Sequence, residues 1–232
     1  MQIKPYPHLR FGQKMAELQL QFEQQLKSLV HHSHDCIAGE ILLEQGQTVE
    51  QLLIVSVGRV SMSTTANNGR RFQLGEVQCD DQIFGEIEFF THEPCQWWVV
   101  AEDPLTVDFI SFHALEKWLE VNPQFLIFFS GGLAFDYQDS LAISTQRLLH
   151  SIRYNIAQDL WLRQHQAQMP FVLGGFDKAE QEAERFGTSS RVYRRAVKSL
   201  IEEGWVMKTE QGLEIIDDAG LQAYLSEIEA ES

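Results

Sequence analysis

With 232 residues, 44% of them hydrophobic and 22% charged, the chain has the composition of an ordinary folded protein with room for two cores, which excludes disordered and fibrous classes. Its formal net charge of −15 repels polyanions from most of its surface. Three cysteines at irregular spacing, no apolar run near the roughly 18 residues of a membrane span, and an N-terminus (MQIKPYPHLRFGQK) without a signal peptide's apolar core predict a cytoplasmic protein with reduced thiols and no membrane partner.

Residues 14–29 place Met15, Leu18, Phe22, Leu26 and Leu29 three and four apart, the spacing of an amphipathic helix. His31, His32, His34 and Cys36 follow. Joined by Cys79 and Cys95 on folding, they would have the donor types of a zinc or iron site. Adjacent histidines cannot both face one site from a regular helix, however, so the stretch reads as a surface loop of histidines with no metal; pH or redox sensing is the remaining alternative. From Ile37 to about Ile110 the texture is ILL, QLLIVSV, RVSMSTT, RFQLGEV, QWWVVA and TVDFISF, rich in β-branched and aromatic residues. Turn signals, among them Gly46, Gly58, Gly75, Gly85 and Glu102-Asp103-Pro104, separate these runs. The pattern predicts an antiparallel barrel or sandwich of short strands, with Asn67-Asn68-Gly69 as a hairpin turn.

Helical texture returns over residues 113–121. Asn122-Pro123 then reads as the N-cap and first residue of a long helix reaching about Leu149. Phe125, Leu126, Phe128, Phe129, Leu133, Phe135, Leu141 and Leu148 make that helix too apolar to face water alone. It packs on its own β domain or forms a dimer seam, the seam being the favoured reading. Gly131 and Gly132 either permit close approach or break it. A helix over 151–166 comes next; Met169-Pro170 and Gly174-Gly175 mark a connection, and Asp177 with Glu180 has the spacing of a capping box.

Phe186-Gly187-Thr188-Ser189 ends one helix at its glycine and caps another with Thr188 or Ser189. In that second helix Val192, Ala196, Val197, Leu200 and Ile201 form an apolar stripe, while Ser190, Arg191, Arg194, Arg195 and Lys198 lie on the other side. Gly204 stops it, and residues 206–208 and 213–216 read as two short strands, which together make a winged helix-turn-helix. From Arg185 to Lys208 there are six basic residues against two acidic ones, whereas residues 209–232 hold seven acids and no Lys or Arg and read as a solvated tail. A basic face on an acidic body favours one orientation on double-stranded DNA. Arg191 and Arg195, four apart, project together as candidates for base reading. Arg194, Lys198, the Thr188 and Ser189 hydroxyls and the helix N-terminal amides suit phosphates. Tyr193 serves as a backbone contact or as core.

A β-rich half carrying GEIEFF at residues 85–90, a long apolar helix and the terminal FGTSSRVYRRAVKSLIEEGWV together resemble the Crp/Fnr superfamily of bacterial transcription regulators over nearly the whole chain, with wording nearest the YeiL-type branch. The resemblance implies an α+β fold: a cyclic-nucleotide-binding-like β jelly-roll barrel with an N-terminal helix over 1–121, a dimerisation helix over 122–149, and a C-terminal winged helix-turn-helix over 150–232. It also implies a homodimer that reads a two-fold symmetric operator through the helix 189–203, with Ser190, Arg191 and Arg195 at the base-reading positions, and RNA polymerase as a partner.

Members that bind cyclic AMP hold the ribose with the Glu of the GE motif and neutralise the phosphate with an Arg-Ser or Arg-Thr pair some ten residues later. Here Glu86 stands, but residues 94–98 read PCQWW, and no Lys or Arg occurs from Phe72 to Glu116. A buried phosphate would lack its cation, so no cyclic nucleotide or other cofactor is expected and Glu86 reads as structural. Phe89, Phe90, Trp97 and Trp98 are core packing or, with Glu86, the rim of a pocket for an apolar or neutral ligand. No Ser/His/Asp geometry, phosphate loop or paired-carboxylate motif stands out, so no enzymatic activity is expected. The rival reading is a ligand-binding or protein-interaction module whose winged helix binds a protein.

Overall fold

The structure, a computed structural model, describes residues 1–2, 8–165, 179–209 and 212–230. They form two compact units, Met1–Met62 with Gln78–Leu141, and Ser63–Val77 with Ala142–Ser232.

The first unit opens with α1 (Gly12–Ser28), which buries Met15, Phe22 and Leu26 as their spacing predicts. The strands β1 (His32–Cys36), β2 (Ile41–Leu43), β3 (Gln51–Thr65), β4 (Arg71–Phe84), β5 (Trp98–Ala101) and β6 (Leu105–Ser111) make one sheet. Its order is β1-β6-β3-β5-β2, with β4 also on β3. Pairing of β1 with β6 runs antiparallel from His32↔Phe109 to Cys36↔Leu105, and β3 meets β6 antiparallel from Gln51↔Ser111 to Val55↔Val107. The sheet curls into a half-barrel.

Two expectations are corrected here. QLLIVSV and RVSMSTT are not separate strands but the two halves of β3, and RFQLGEV likewise continues through Gly75 to Phe84. Gly58 and Gly75 interrupt the alternation without turning the chain: they sit mid-strand at φ +130 and +135, where a close approach of backbone favours glycine. A Cβ on Gly58 would lie 3.0 Å from that of Leu105. The histidine-rich stretch is not a loop either. Pairing with β6 makes it a strand whose first four residues are exposed, a pattern too polar to announce itself. The hairpin at Asn67-Asn68-Gly69 forms as expected, closed by Ala66 N–H to Arg70 O at 2.8 Å with Gly69 at φ +79.

Helices α2 (Glu86–Thr91) and α3 (Phe112–Val121) and the start of α4 (Leu126–Leu149) complete this unit. Ser111 caps α3 by accepting from the Ala114 N–H. Asn122 and Pro123 take the N-cap and first position, but of a 3-10 turn, Pro123–Phe125, ahead of α4, and the Asn122 side chain does not cap it: its Nδ2 donates to Trp118 O at 3.0 Å, closing α3. α4 runs unbroken through Gly131 and Gly132, where Met15 and Leu9, and Met1, pack within 3.4 Å of where a Cβ would stand. The core centres on Phe22, stacked on Phe128 at 4.0 Å between centroids and ringed by Trp118, Phe125 and Phe129.

The second unit contains the hairpin ends of β3 and β4 (Ser63–Val77), the end of α4, and α5 (Ile152–His165), α6 (Ala179–Arg185), α7 (Ser190–Glu202), β7 (Val206–Thr209), β8 (Gly212–Ile215) and α8 (Asp218–Ala230). β7 and β8 pair antiparallel from Val206↔Ile215 to Thr209↔Gly212. The segment read as a solvated tail is in fact α8, whose Leu221 and Leu225 are buried against Tyr154, Leu160 and Leu200 in the unit's core. Its acids masked an apolar stripe of helical period. Met169-Pro170, Gly174-Gly175 and the Asp177 cap lie outside the described residues. None of the described helices is long and apolar enough to cross a membrane.

Phe22→Ala is expected to destabilise the protein by about 3–5 kcal/mol, read as a shift of the urea-unfolding transition, while Val57→Thr, at a position 74% exposed, is expected to leave it within about 0.5 kcal/mol.

Candidate nucleic-acid interface

The turn between α6 and α7 is built by local backbone chemistry. Gly187 takes φ +63, which a residue with a Cβ disfavours, and Thr188 N–H returns to Ala183 O at 2.8 Å, closing α6. Of the two cap candidates Ser189 does the capping: in extended backbone, its hydroxyl accepts from the Val192 N–H. Thr188 and Ser190 are half-buried and Ser189 is exposed beside the helix N-terminus.

Tyr193, Ala196 and Leu200 form the buried stripe of α7, so Tyr193 is core. Its ring stacks on Phe186 at 6.0 Å. On the opposite side Arg191, Arg194, Arg195 and Lys198 are all exposed, but they divide into two pairs. Arg194 is held by Glu180 of α6, and Lys198 lies 3.4 Å from Glu202. Among the described residues no carboxylate pairs with Arg191 or Arg195. Four residues apart, they share one edge of the helix as two uncommitted guanidinium groups. β7 and β8 follow as a two-stranded wing with Lys208 exposed. Its root is fixed by Arg153, whose guanidinium lies 5.2 Å from the Trp205 ring centroid and 4.8 Å from that of Tyr224 and donates to Glu203.

Arg185, counted in the basic stretch 185–208, contributes nothing to its surface charge. It is wholly buried. Its guanidinium donates to both oxygens of Asp159 at 2.6 and 2.7 Å and to both of Glu182 at 3.0 and 2.8 Å, and lies 4.5 Å from the Phe186 ring centroid. Burial alone pulls its pKa down, but Asp159 and then Glu182 outweigh it and hold the Arg185 pKa above its ordinary value. Burial likewise pushes Asp159 up, and the Arg185 guanidinium overcomes it, leaving the carboxyl below its ordinary 3.8. Sequence reading missed this cluster because Asp159 lies 26 residues from Arg185 and only folding brings it there to join Glu182, one turn before Arg185 on α6.

In the first unit, Gly85 stands at φ +91 before α2, where a Cβ would meet Gln51 O at 2.9 Å. Glu86 and Glu88 are both buried, and Glu86 accepts from the Met1 ammonium at 2.8 Å. Phe89 and Phe90 pack edge to face on each other, with Phe112 and Phe129 beyond them, while Trp97 and Trp98 lie half-buried where β5 begins. Among the described residues no ring contact joins the two phenylalanines to the two tryptophans. The three thiols are buried and none is joined in a disulfide, and burial pushes Cys36 and Cys95 up to about 11 and Cys79 to about 12.

Comparison with known proteins agrees with this architecture. Residues 36–122 match the cyclic nucleotide-binding domain family. Among solved structures, the c-di-GMP responsive global regulator CLP of Xanthomonas campestris is similar at 15% identity over 83% of this chain and 97% of that one, TM-score 0.70. A transcriptional regulator of the Crp/Fnr family from Eubacterium rectale matches at 14% over 90% and 97%, TM-score 0.70. CooA from Carboxydothermus hydrogenoformans matches at 17% over 87% and 90%, TM-score 0.66. The chain has the Crp/Fnr regulator fold. In the Crp/Fnr fold of this chain, α6 and α7 make the helix-turn-helix and β7–β8 the wing. The neighbours do not distinguish the YeiL-type branch. No curated protein matches the sequence.

Arg185→Met removes the cation that two buried carboxylates share and is expected to cost about 3–5 kcal/mol, read in the urea transition of tryptophan fluorescence. Because the Asp159 pKa is depressed in the folded state, its contribution is complete above the unfolded value of about 3.9 and is lost as pH falls through the lower folded value. In acid titration followed by the same fluorescence, Asp159→Asn is expected to destabilise the protein near neutral pH and to flatten its loss of stability below about pH 4.

Proposed function

We propose that the protein is a homodimeric, sequence-specific DNA-binding transcription regulator of the Crp/Fnr type that performs no enzymatic reaction and works in the cytoplasm. The observation that carries this reading is the α7 face: a capped helix with two exposed, uncommitted arginines four residues apart, followed by a two-stranded wing. A helix fits the major groove of B-DNA, and an arginine on guanine O6 and N7 is worth roughly 1–3 kcal/mol of discrimination. Arg191 and Arg195 take that role, with Ser190 beside them. Arg194 and Lys198 exchange Glu180 and Glu202 for phosphates, and Thr188, Ser189 and the free amides of the α7 N-terminus position the backbone.

Dimerisation is supported by α4. Ala134, Tyr137, Leu141, Ser144 and Leu148 recur three and four apart along it and are all exposed, with Tyr137 at 67%, Leu141 at 51% and Leu148 at 85%. An apolar stripe of that period suits a second copy of the same helix. Two-fold symmetry would set two α7 helices about 34 Å apart, one DNA turn. RNA polymerase as a further partner rests on the resemblance.

The first unit does not take a cyclic nucleotide on this reading. Glu86 is already engaged by an ammonium, Glu88 is buried beside it, and the segment from Phe72 to Glu116 supplies no Lys or Arg to neutralise a phosphate. Phe89 and Phe90 act as packing within an aromatic cluster; a neutral ligand at Glu86, Phe89, Phe90, Trp97 and Trp98 is the alternative that ligand screening by thermal shift would reveal.

Selection from a random duplex DNA library at physiological salt is expected to enrich an inverted repeat, and Arg195→Ala to blur the bases it reads. Affinity for the selected site is expected to fall steeply with salt. Absence of enrichment both alone and with cell extract added would overturn the reading in favour of a winged helix that binds a protein. Leu141→Glu is expected to convert the dimer to monomer in sedimentation and to abolish binding to the repeat.

A further inference from the structure

Away from α7, β1 and the turn after it gather three side chains of metal-ligating type. His34 and Cys36 are two apart on β1 and so project from the same side of the strand. The chain then turns back through residues 37–40, closed by Glu40 N–H to Ile37 O at 3.1 Å with Gly39 at φ +88. That turn brings Glu40 over the strand, where its Oε2 accepts the Ile37 N–H at 3.1 Å and its Oε1 meets His34 Nε2 at 2.8 Å. One ligand atom each from His34, Cys36 and Glu40 lies within 4.8 Å of the others. Tetrahedral zinc with bonds of about 2.0–2.3 Å separates its ligand atoms by roughly 3.5 Å, so small side-chain rotations close the set.

The frame that presents them is fixed independently of any ion. β1 is paired along its length with β6, and the turn is pinned by Gly39 N–H to Ala101 O at 2.7 Å and Ala101 N–H to Glu40 O at 2.9 Å. The neighbouring polar groups are committed elsewhere: Asp35 accepts from Thr106, Ser33 donates to Asp108, and the His32 ring stacks on Phe109. Cys36 lies at the bottom of the cluster, while the His34 side chain is 49% exposed and that of Glu40 33%. The cluster therefore has a closed floor and an open mouth.

We propose that His34, Cys36 and Glu40 are the protein ligands of a site for a borderline divalent cation of the zinc class, with a fourth position open to solvent. One sulfur, one nitrogen and one oxygen donor suit zinc and its transition-metal neighbours; calcium and magnesium demand shells of oxygen. On binding, the Cys36 thiol releases its proton to solvent and His34 coordinates as a neutral imidazole through Nε2, its remaining proton on Nδ1. Thiolate and carboxylate together then balance the two positive charges of the ion. Three protein ligands with an open fourth position make an exchangeable site, unlike the four-ligand closed sites that hold small domains together. The site is independent of the DNA-binding reading.

The test is a Co²⁺ titration of the full-length protein after chelator treatment, followed by the thiolate-to-cobalt charge-transfer absorption, with Zn²⁺ as competitor. The expected result is saturation at one Co²⁺ per chain, bleached by Zn²⁺, with the band lost in Cys36→Ser and kept in Cys79→Ser and Cys95→Ser. His34→Gln and Glu40→Gln alter exposed side chains and retain the fold; each is expected to weaken Co²⁺ binding by about tenfold or more, since even outer-shell partners are worth about that much. Zn²⁺ is also expected to raise the melting temperature of the native protein and to leave that of His34→Gln unchanged. No saturable band in the native protein, a band that survives Cys36→Ser, or binding indifferent to both His34→Gln and Glu40→Gln would each overturn the proposal.

Discussion

The buried guanidinium of Arg185 is the contact on which the geometry of the second unit depends. It closes α6, ties that helix to α5 through Asp159 and to its own preceding turn through Glu182, and lies on Phe186, whose ring stacks on Tyr193 of α7. One side chain thus links three helices through four charge-assisted hydrogen bonds and two ring contacts. A cation without water survives there only because two carboxylates meet it in fork geometry. An apolar side chain of similar volume fills the space but removes the cation the two carboxylates share, leaving Asp159 with the Arg163 guanidinium at 2.8 Å. The arrangement places a directional constraint at the turn that sets where α7 points.

The same separation of charge accounts for a basic face on an acidic chain. Of the basic residues between Arg185 and Lys208, one is spent inside the unit and two are held by acids at the surface, so among the described residues the uncommitted charge contracts to Arg191 and Arg195 on α7 and Lys208 on the wing. Charge that is local and rigidly carried specifies orientation better than charge spread over a surface.

Much of this was legible in the sequence because the relevant signals are local. Helical periodicity gave α1, the Gly187-Thr188-Ser189 run gave the turn, and Asn67-Asn68-Gly69 gave the hairpin. What was not legible depended on pairing across distance. Gly58 and Gly75 look like turn residues until β3 and β4 are seen to run straight through them. His32–Cys36 looks like a polar loop until β6 supplies its hydrogen bonds. α8 was hidden because the stretch from Thr209 to Ser232 holds seven acids and no Lys or Arg, while the inward Leu221 and Leu225 carry the packing. Arg185 was misplaced for a related reason: charge in sequence says nothing of burial, and the acids that neutralise it come from α5 and from one turn earlier in α6. At the candidate interface, residue types and spacing already set Arg191 and Arg195 apart from Arg194 and Lys198, and folding adds the pairing of the latter two with Glu180 and Glu202.

The pairing of Arg194 with Glu180 and of Lys198 with Glu202 has a consequence for any polyanion that approaches this face. Each of those cations already has a tethered anion, so an incoming phosphate must displace a carboxylate that cannot diffuse away. A sparse polyanion gains too little at each contact to do so. On the proposed DNA-binding reading, duplex DNA, with one charge per roughly 1.7 Å of axis, would present several phosphates at once and displace both carboxylates together. The two acids would then act as a threshold, turning a basic surface into one that ignores dilute negative charge and answers only to a dense, regular array of it.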